Sequence, residues 1–129
     1  VVGIFRNANC PFTLLHCVST YPCRDEDCNL EVINTLRERY SCAVGYSGHE
    51  EEFTPSVVAA AMGASAIERH ITLNKNMYGS DQSASLEPFG FAVMTSVIRQ
   101  IPHIIGSGTK TVLEEEIPIA KKLRYFEEA

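Results

Sequence analysis

Apolar positions along the chain switch between strand-like runs and helical spacing, and the switching predicts a β/α repeat. Residues 1–8 read as the end of a helix closed by Pro11, and residues 12–17 as a buried strand. Residues 22–28 form a loop. Asn29 is placed to cap a helix running through Tyr40, with Leu30, Ile33, Leu36 and Arg37 at helical spacing. Residues 43–46 read as a second short strand. Thr54 with Pro55 starts a helix through Val57, Val58, Ala61 and Met62, and Gly63 stops it. Residues 64–69 are a third strand, followed by a long polar loop over 72–85. Pro88 opens a helix expected to end near Ile101, where Pro102 should break or kink it. The charged tail 106–129, with Pro118, reads as a linker rather than a packed element.

The order βαβαβα predicts an α/β fold with a parallel sheet and right-handed crossovers. The long loops all follow strand ends, the arrangement by which a (β/α)8 TIM barrel organises its chemistry. Three units alone would leave open sheet edges. The expectation is therefore that residues 1–105 are the last three βα units of such a barrel, and that the chain, which does not begin with Met, is a piece of a longer one.

Composition narrows the function classes. A net charge of −5 without clustered Lys and Arg argues against a nucleic-acid partner. No run of 18 apolar residues predicts a membrane span, and the amino end lacks the pattern of a signal peptide. The five cysteines do not follow the spacing of a zinc site. Cys17 is expected to pack as a small hydrophobe. Cys23 and Cys28 flank an acidic turn and would pair under oxidation, but reduced thiols in a cytoplasmic protein are the expectation.

Candidate chemistry centres on two strings that each end an apolar stretch with a histidine: 45–49, GYSGH, and 67–70, IERH. At the carboxyl edge of a parallel sheet, His49 and His70 would meet where ligands bind, and two neutral imidazoles suit a shared divalent cation. Period-two alternation puts Glu68 on the same face as His70. Each residue also has a structural reading. Glu68 could pair with a nearby Arg, Ser19 and Ser47 could satisfy strand-end backbone, Tyr21 precedes a proline, and Asp81 could be a turn residue. His16 points opposite to Cys17 and reads as a packed histidine; His103 reads as surface.

Four strings in this order, 14–22 (LLHCVSTYP), 45–49, 67–72 (IERHIT) and 78–88 (YGSDQSASLEP), closely resemble the sialic acid synthase family. The resemblance implies a TIM-barrel enzyme that condenses phosphoenolpyruvate with N-acetylmannosamine or a related hexose. It implies that His49 and His70 hold Mn2+ or Mg2+, that Glu68 and Asp81 act at the reacting aldehyde, and that Ser19, Tyr21 and Ser47 bind substrate. It further implies a homodimer in the full-length enzyme, and a segment 106–129 leading toward an antifreeze-like domain. Two positions depart from the family pattern: Gly48, where many relatives carry Asp, and Pro102, where relatives continue the helix. The alternatives are a legionaminic or pseudaminic acid synthase, and a non-catalytic remnant that binds a sugar or partner. The three units alone are expected to be inactive.

Overall fold

Leu14, Val44 and Ile67 open three strands that lie side by side in the computed structural model, which describes residues 1–123. Strands β1 (Leu14–Cys17), β2 (Val44–Gly48) and β3 (Ile67–Arg69) form a parallel sheet in the order β1-β2-β3. The register pairs Cys17 with Ser47 and Ser47 with Glu68. Helices α1 (Val2–Asn7), α2 (Val32–Tyr40), α3 (Thr54–Ala61), α4 (Pro88–Ile105) and α5 (Glu116–Leu123) complete the chain. The α/β class with a parallel sheet is as expected. Among the described residues, no helix is long and apolar enough to cross a membrane.

The core lies on one side of the sheet. Ile33 of α2, Val44 and Tyr46 of β2 and Ala59 of α3 are buried together, with Leu14, Leu30, Leu36 and Ile67 packed around them. Alternation therefore sends Gly45 and Ser47 to the opposite face. Gly45 has no room for a side chain there: a Cβ would lie 2.4 Å from the Ala66 carbonyl oxygen and 2.6 Å from Leu15 Cδ2.

Several boundaries differ from expectation. β1 is not buried on both faces; its exposure alternates, and Leu15 and Cys17 are exposed. Helix α2 covers one side only, so Cys17 is a free surface thiol rather than a core hydrophobe. His16 is packed as expected: its Nε2 lies 2.7 Å from the Cys28 carbonyl oxygen and its ring 5.9 Å from Tyr46. Asn29 caps no helix; its φ of 42° puts it in a left-handed turn, and α2 begins at Val32. β2 continues to Gly48 because Ser47 pairs with both neighbouring strands and Gly48 with Arg69 of β3. Helix α3 starts at Thr54 with Pro55 in its first turn, and Gly63 follows it at φ 83°. Helix α4 runs through Pro102 to Ile105 and stops at Gly106. Pro102 is exposed and removes a donor only in the last turn of the helix. Residues 116–123 of the expected linker form α5, which buries none of its residues, and 124–129 lie outside the described residues.

Cys23 and Cys28 are free thiols with their sulfurs 4.0 Å apart. Burial pushes the Cys28 thiol up to about 11. An unfolded thiol titrates at roughly 8.5, so the folded value is raised. This group's contribution to stability is complete below the unfolded value and is lost as pH rises through 11. Burial also raises Tyr46, which acts in the same direction at higher pH. The urea midpoint is expected to fall as pH rises from 8.5 to 11, and Cys28 to resist iodoacetamide at pH 8 until the protein is unfolded. Peptide mass mapping checks the second point.

Candidate active site

The carboxyl ends of all three strands converge on one edge, which carries nearly every residue singled out from sequence. Ser47 Oγ donates to Glu68 Oε2 at 2.6 Å, fixing these two side chains on the face opposite the core. His49 is buried just beyond β2. Its Nδ1 lies 2.8 Å from the Val18 carbonyl oxygen. A carbonyl only accepts, so Nδ1 carries the proton and Nε2 keeps its lone pair. The His49 and His70 rings meet edge to face with centroids 5.1 Å apart. The Tyr21 ring lies tilted against both, its centroid 4.2 Å from that of His49 and 5.8 Å from that of His70.

Asp81 comes from the long loop after β3 and reaches back to the edge. Its Oδ2 lies 3.5 Å from His70 Nδ1. The loop is tied at its end: Leu86 N–H donates to the His70 carbonyl and Thr72 N–H to the Leu86 carbonyl. Ser85 Oγ donates to the Asp81 carbonyl at 2.7 Å. Lost hydration, followed by the negative potential of Cys17, Asp81 and Glu68, raises the Tyr21 hydroxyl above its ordinary value. Ser19 lies at the rim, exposed, with its Oγ 3.7 Å from Cys17 Sγ. The structure therefore gathers Tyr21, Ser47, His49, Glu68, His70 and Asp81, with Ser19 at their margin.

Two adjacent imidazoles with the Asp81 carboxylate beside one of them would suit a divalent ion such as Mn2+. The Val18 carbonyl holds His49 Nδ1 from behind, which leaves its Nε2 free to ligate, while His70 Nδ1 lies 3.5 Å from Asp81 Oδ2. Among the described residues no three His, Cys, Asp or Glu side chains converge on one point. The histidine pair would thus supply two protein ligands and leave open positions.

Sequence reasoning missed what lies on the other face of the same strand ends. Glu50 and Arg69 are buried, with side chains 1% and 0% exposed, and pair at 3.0 Å. Tyr46 Oη and Ser56 Oγ also donate to the Glu50 carboxylate. The Arg partner considered for Glu68 belongs to Glu50 instead. The signal was in the pattern: a charged residue adjoins each histidine, and alternation turns it toward the helices, where a charge must be paired. Cys17 was also missed; its sulfur lies 3.9 Å from His49 Nδ1. Gly48 belongs to this geometry through space rather than turn conformation. A Cβ there would lie 2.7 Å from Glu50 Oε2 and 2.9 Å from the Tyr46 ring. An Asp at this position would force a second carboxylate against the buried one.

The NeuB family profile matches residues 1–110. The N-acetylneuraminate-9-phosphate synthase of Mus musculus is 43% identical over 124 residues, covering 95% of this chain and 34% of that protein. The N,N'-diacetyllegionaminic acid synthase of Campylobacter jejuni is 41% identical over 104 residues, 81% of this chain and 31% of that protein. Among solved structures, the N-acetylneuraminic acid synthetase of Leptospira borgpetersenii, in complex with citrate, superposes with a TM-score of 0.79 at 37% identity. That match covers 95% of this chain and 44% of the other. The chain spans about a third of the length of these curated relatives. With the family profile and the relatives in agreement over most of its residues, the chain belongs to the NeuB family of sialic acid synthases.

Proposed function

We propose that the protein containing these residues condenses phosphoenolpyruvate with N-acetylmannosamine or a related hexose, giving a nonulosonic acid and phosphate. The observation that carries this reading is the meeting of His49 and His70 at one strand edge, beneath Tyr21 and beside Asp81. In the reaction, C3 of phosphoenolpyruvate bonds to the aldehyde carbon, water adds at C2, and phosphate leaves. Mn2+ or Mg2+ held by His49 and His70 would polarise the aldehyde oxygen as a Lewis acid. The remaining roles belong to the chain itself. Tyr21 covers the histidines and limits water, and Ser47 orients Glu68 toward the hexose. Asp81 is set to move a proton at the aldehyde oxygen. Ser19 and Ser47 supply hydroxyl groups for phosphate or carboxylate oxygens.

On the same reading, residues 1–105 are the last three units of a (β/α)8 barrel and 106–129 lead toward a further domain. The working form is a cytoplasmic homodimer. The acceptor is the open choice, since relatives at 41% and 37% identity are named legionaminic and pseudaminic acid synthases. The test is phosphate release and product mass for the full-length protein with Mn2+, phosphoenolpyruvate and a panel of hexoses. N-acetylmannosamine, its 6-phosphate and diacetamido hexoses form the panel. Turnover with one of them supports the reading and names the acceptor. A folded protein that releases no phosphate with any of them overturns it in favour of a binding remnant.

A further inference from the structure

We propose that Arg69, paired with Glu50 behind the sheet, is a positioning residue that holds His49, His70 and Asp81 in register with one another. The proposal deepens the functional reading and rests on the histidine pair being the metal-facing one. Glu50 directly follows His49 and Arg69 directly precedes His70, so their ion pair ties the two histidine-bearing strand ends together. The guanidinium does more than pair. Nη1 donates to Glu50 Oε1 at 3.0 Å, Ser56 Oγ at 3.1 Å and the Glu52 carbonyl at 2.9 Å. Nη2 donates to the Glu50 carbonyl at 2.5 Å and the Ala84 carbonyl at 3.3 Å. Ala84 belongs to the turn that carries Asp81, and its N–H donates to the Asp81 carbonyl at 3.2 Å. One planar cation therefore joins the end of β2, the entry to α3 and the Asp81 turn. A lysine ammonium has the charge but not the fork to reach all three. Neither Glu50 nor Arg69 lies on the histidine face, so any effect on the site passes through the backbone they hold.

The test compares Arg69→Lys with the unsubstituted full-length protein. Calorimetry reads Mn2+ affinity, and nitrogen-15 spectra read the imidazoles, assigned through His49→Ala and His70→Ala. Thermal unfolding establishes that the variant folds. The expected result is a folded variant whose Mn2+ affinity drops roughly ten- to a hundredfold and whose His49 ring loses its single Nδ1–H tautomer. A folded variant with affinity within about twofold and unchanged imidazole signals overturns the proposal, since a purely structural pair would move the melting midpoint alone. If the unsubstituted protein binds no Mn2+, the metal reading fails separately and the imidazole spectra decide: lost tautomer order supports positioning, retained order overturns it. If Arg69→Lys does not fold, Ser56→Ala, which removes one donor from the pair, takes its place with the same readouts. A folded Ser56→Ala protein that shifts neither of them overturns the proposal.

Discussion

Replacing His49 or His70 with alanine in the full-length protein is expected to lower turnover of phosphoenolpyruvate and its acceptor by at least about a thousandfold. That loss corresponds to roughly 4 kcal/mol of transition-state stabilisation. The reason is geometric. The two rings sit 5.1 Å apart by centroid, with His49 Nδ1 bonded to the Val18 carbonyl and His70 Nδ1 3.5 Å from Asp81 Oδ2. On the proposed reading the pair supplies two nitrogen ligands to the ion, and either substitution halves that set. Both histidines lie across the sheet from the Ile33–Val44–Tyr46–Ala59 core, so the fold should survive. His49→Ala forfeits one hydrogen bond to Val18, worth about 1 kcal/mol. The measurement is steady-state kinetics across a Mn2+ titration, with circular dichroism to establish folding. A folded variant that keeps a tenth of the activity would remove the pair from the reaction. Loss of activity rescued by excess Mn2+ would instead place the whole effect in ion binding.

These histidines were legible because of where strands end. A strand-end histidine after GYSG and another after IER needed only parallel pairing to meet, and the register supplies it by setting Ser47 against Glu68. Asp81 was legible as a motif but not as a position. Nothing in a long polar loop says that Ala84, Ser85 and Leu86 will fasten it back onto the sheet. Strand and helix limits failed where tertiary pairing overrode local preference. The expected strand ended at 46, and Ser47 and Gly48 extend it because Ser47 pairs with both neighbouring strands and Gly48 with β3. Asn29 reads as a cap and is a left-handed residue before the helix. The Glu50–Arg69 pair was hidden for another reason. Charged residues beside a candidate site invite a catalytic reading; alternation turned these two toward the helix face, and the structure adds that they pair there with each other and with Ser56 of α3.

Their burial makes the pair costly to break, and Glu50→Ala is expected to destabilise the fold by about 3–5 kcal/mol. Glu50 accepts from Tyr46, Ser56 and Arg69 while fully shielded from water. Its removal leaves a buried guanidinium without an anion and two hydroxyls without an acceptor, and each unsatisfied group adds its own desolvation cost. Burial already lowers the Arg69 value while the Glu50 charge opposes the shift, so the carboxylate is what keeps the cation comfortable behind the sheet. Replacing both partners with apolar residues, Glu50→Leu with Arg69→Met, is expected to regain part of the loss because no buried charge remains. It should not regain all of it. The carbonyls of Glu50, Glu52 and Ala84 lose the donor they share. Urea unfolding of the two variants beside the unsubstituted protein gives the comparison. A Glu50→Ala protein within about 1 kcal/mol of the original would mean that water or another side chain takes over the guanidinium. A double variant less stable than Glu50→Ala would mean that the backbone carbonyls, rather than the ion pair, are what Arg69 chiefly serves.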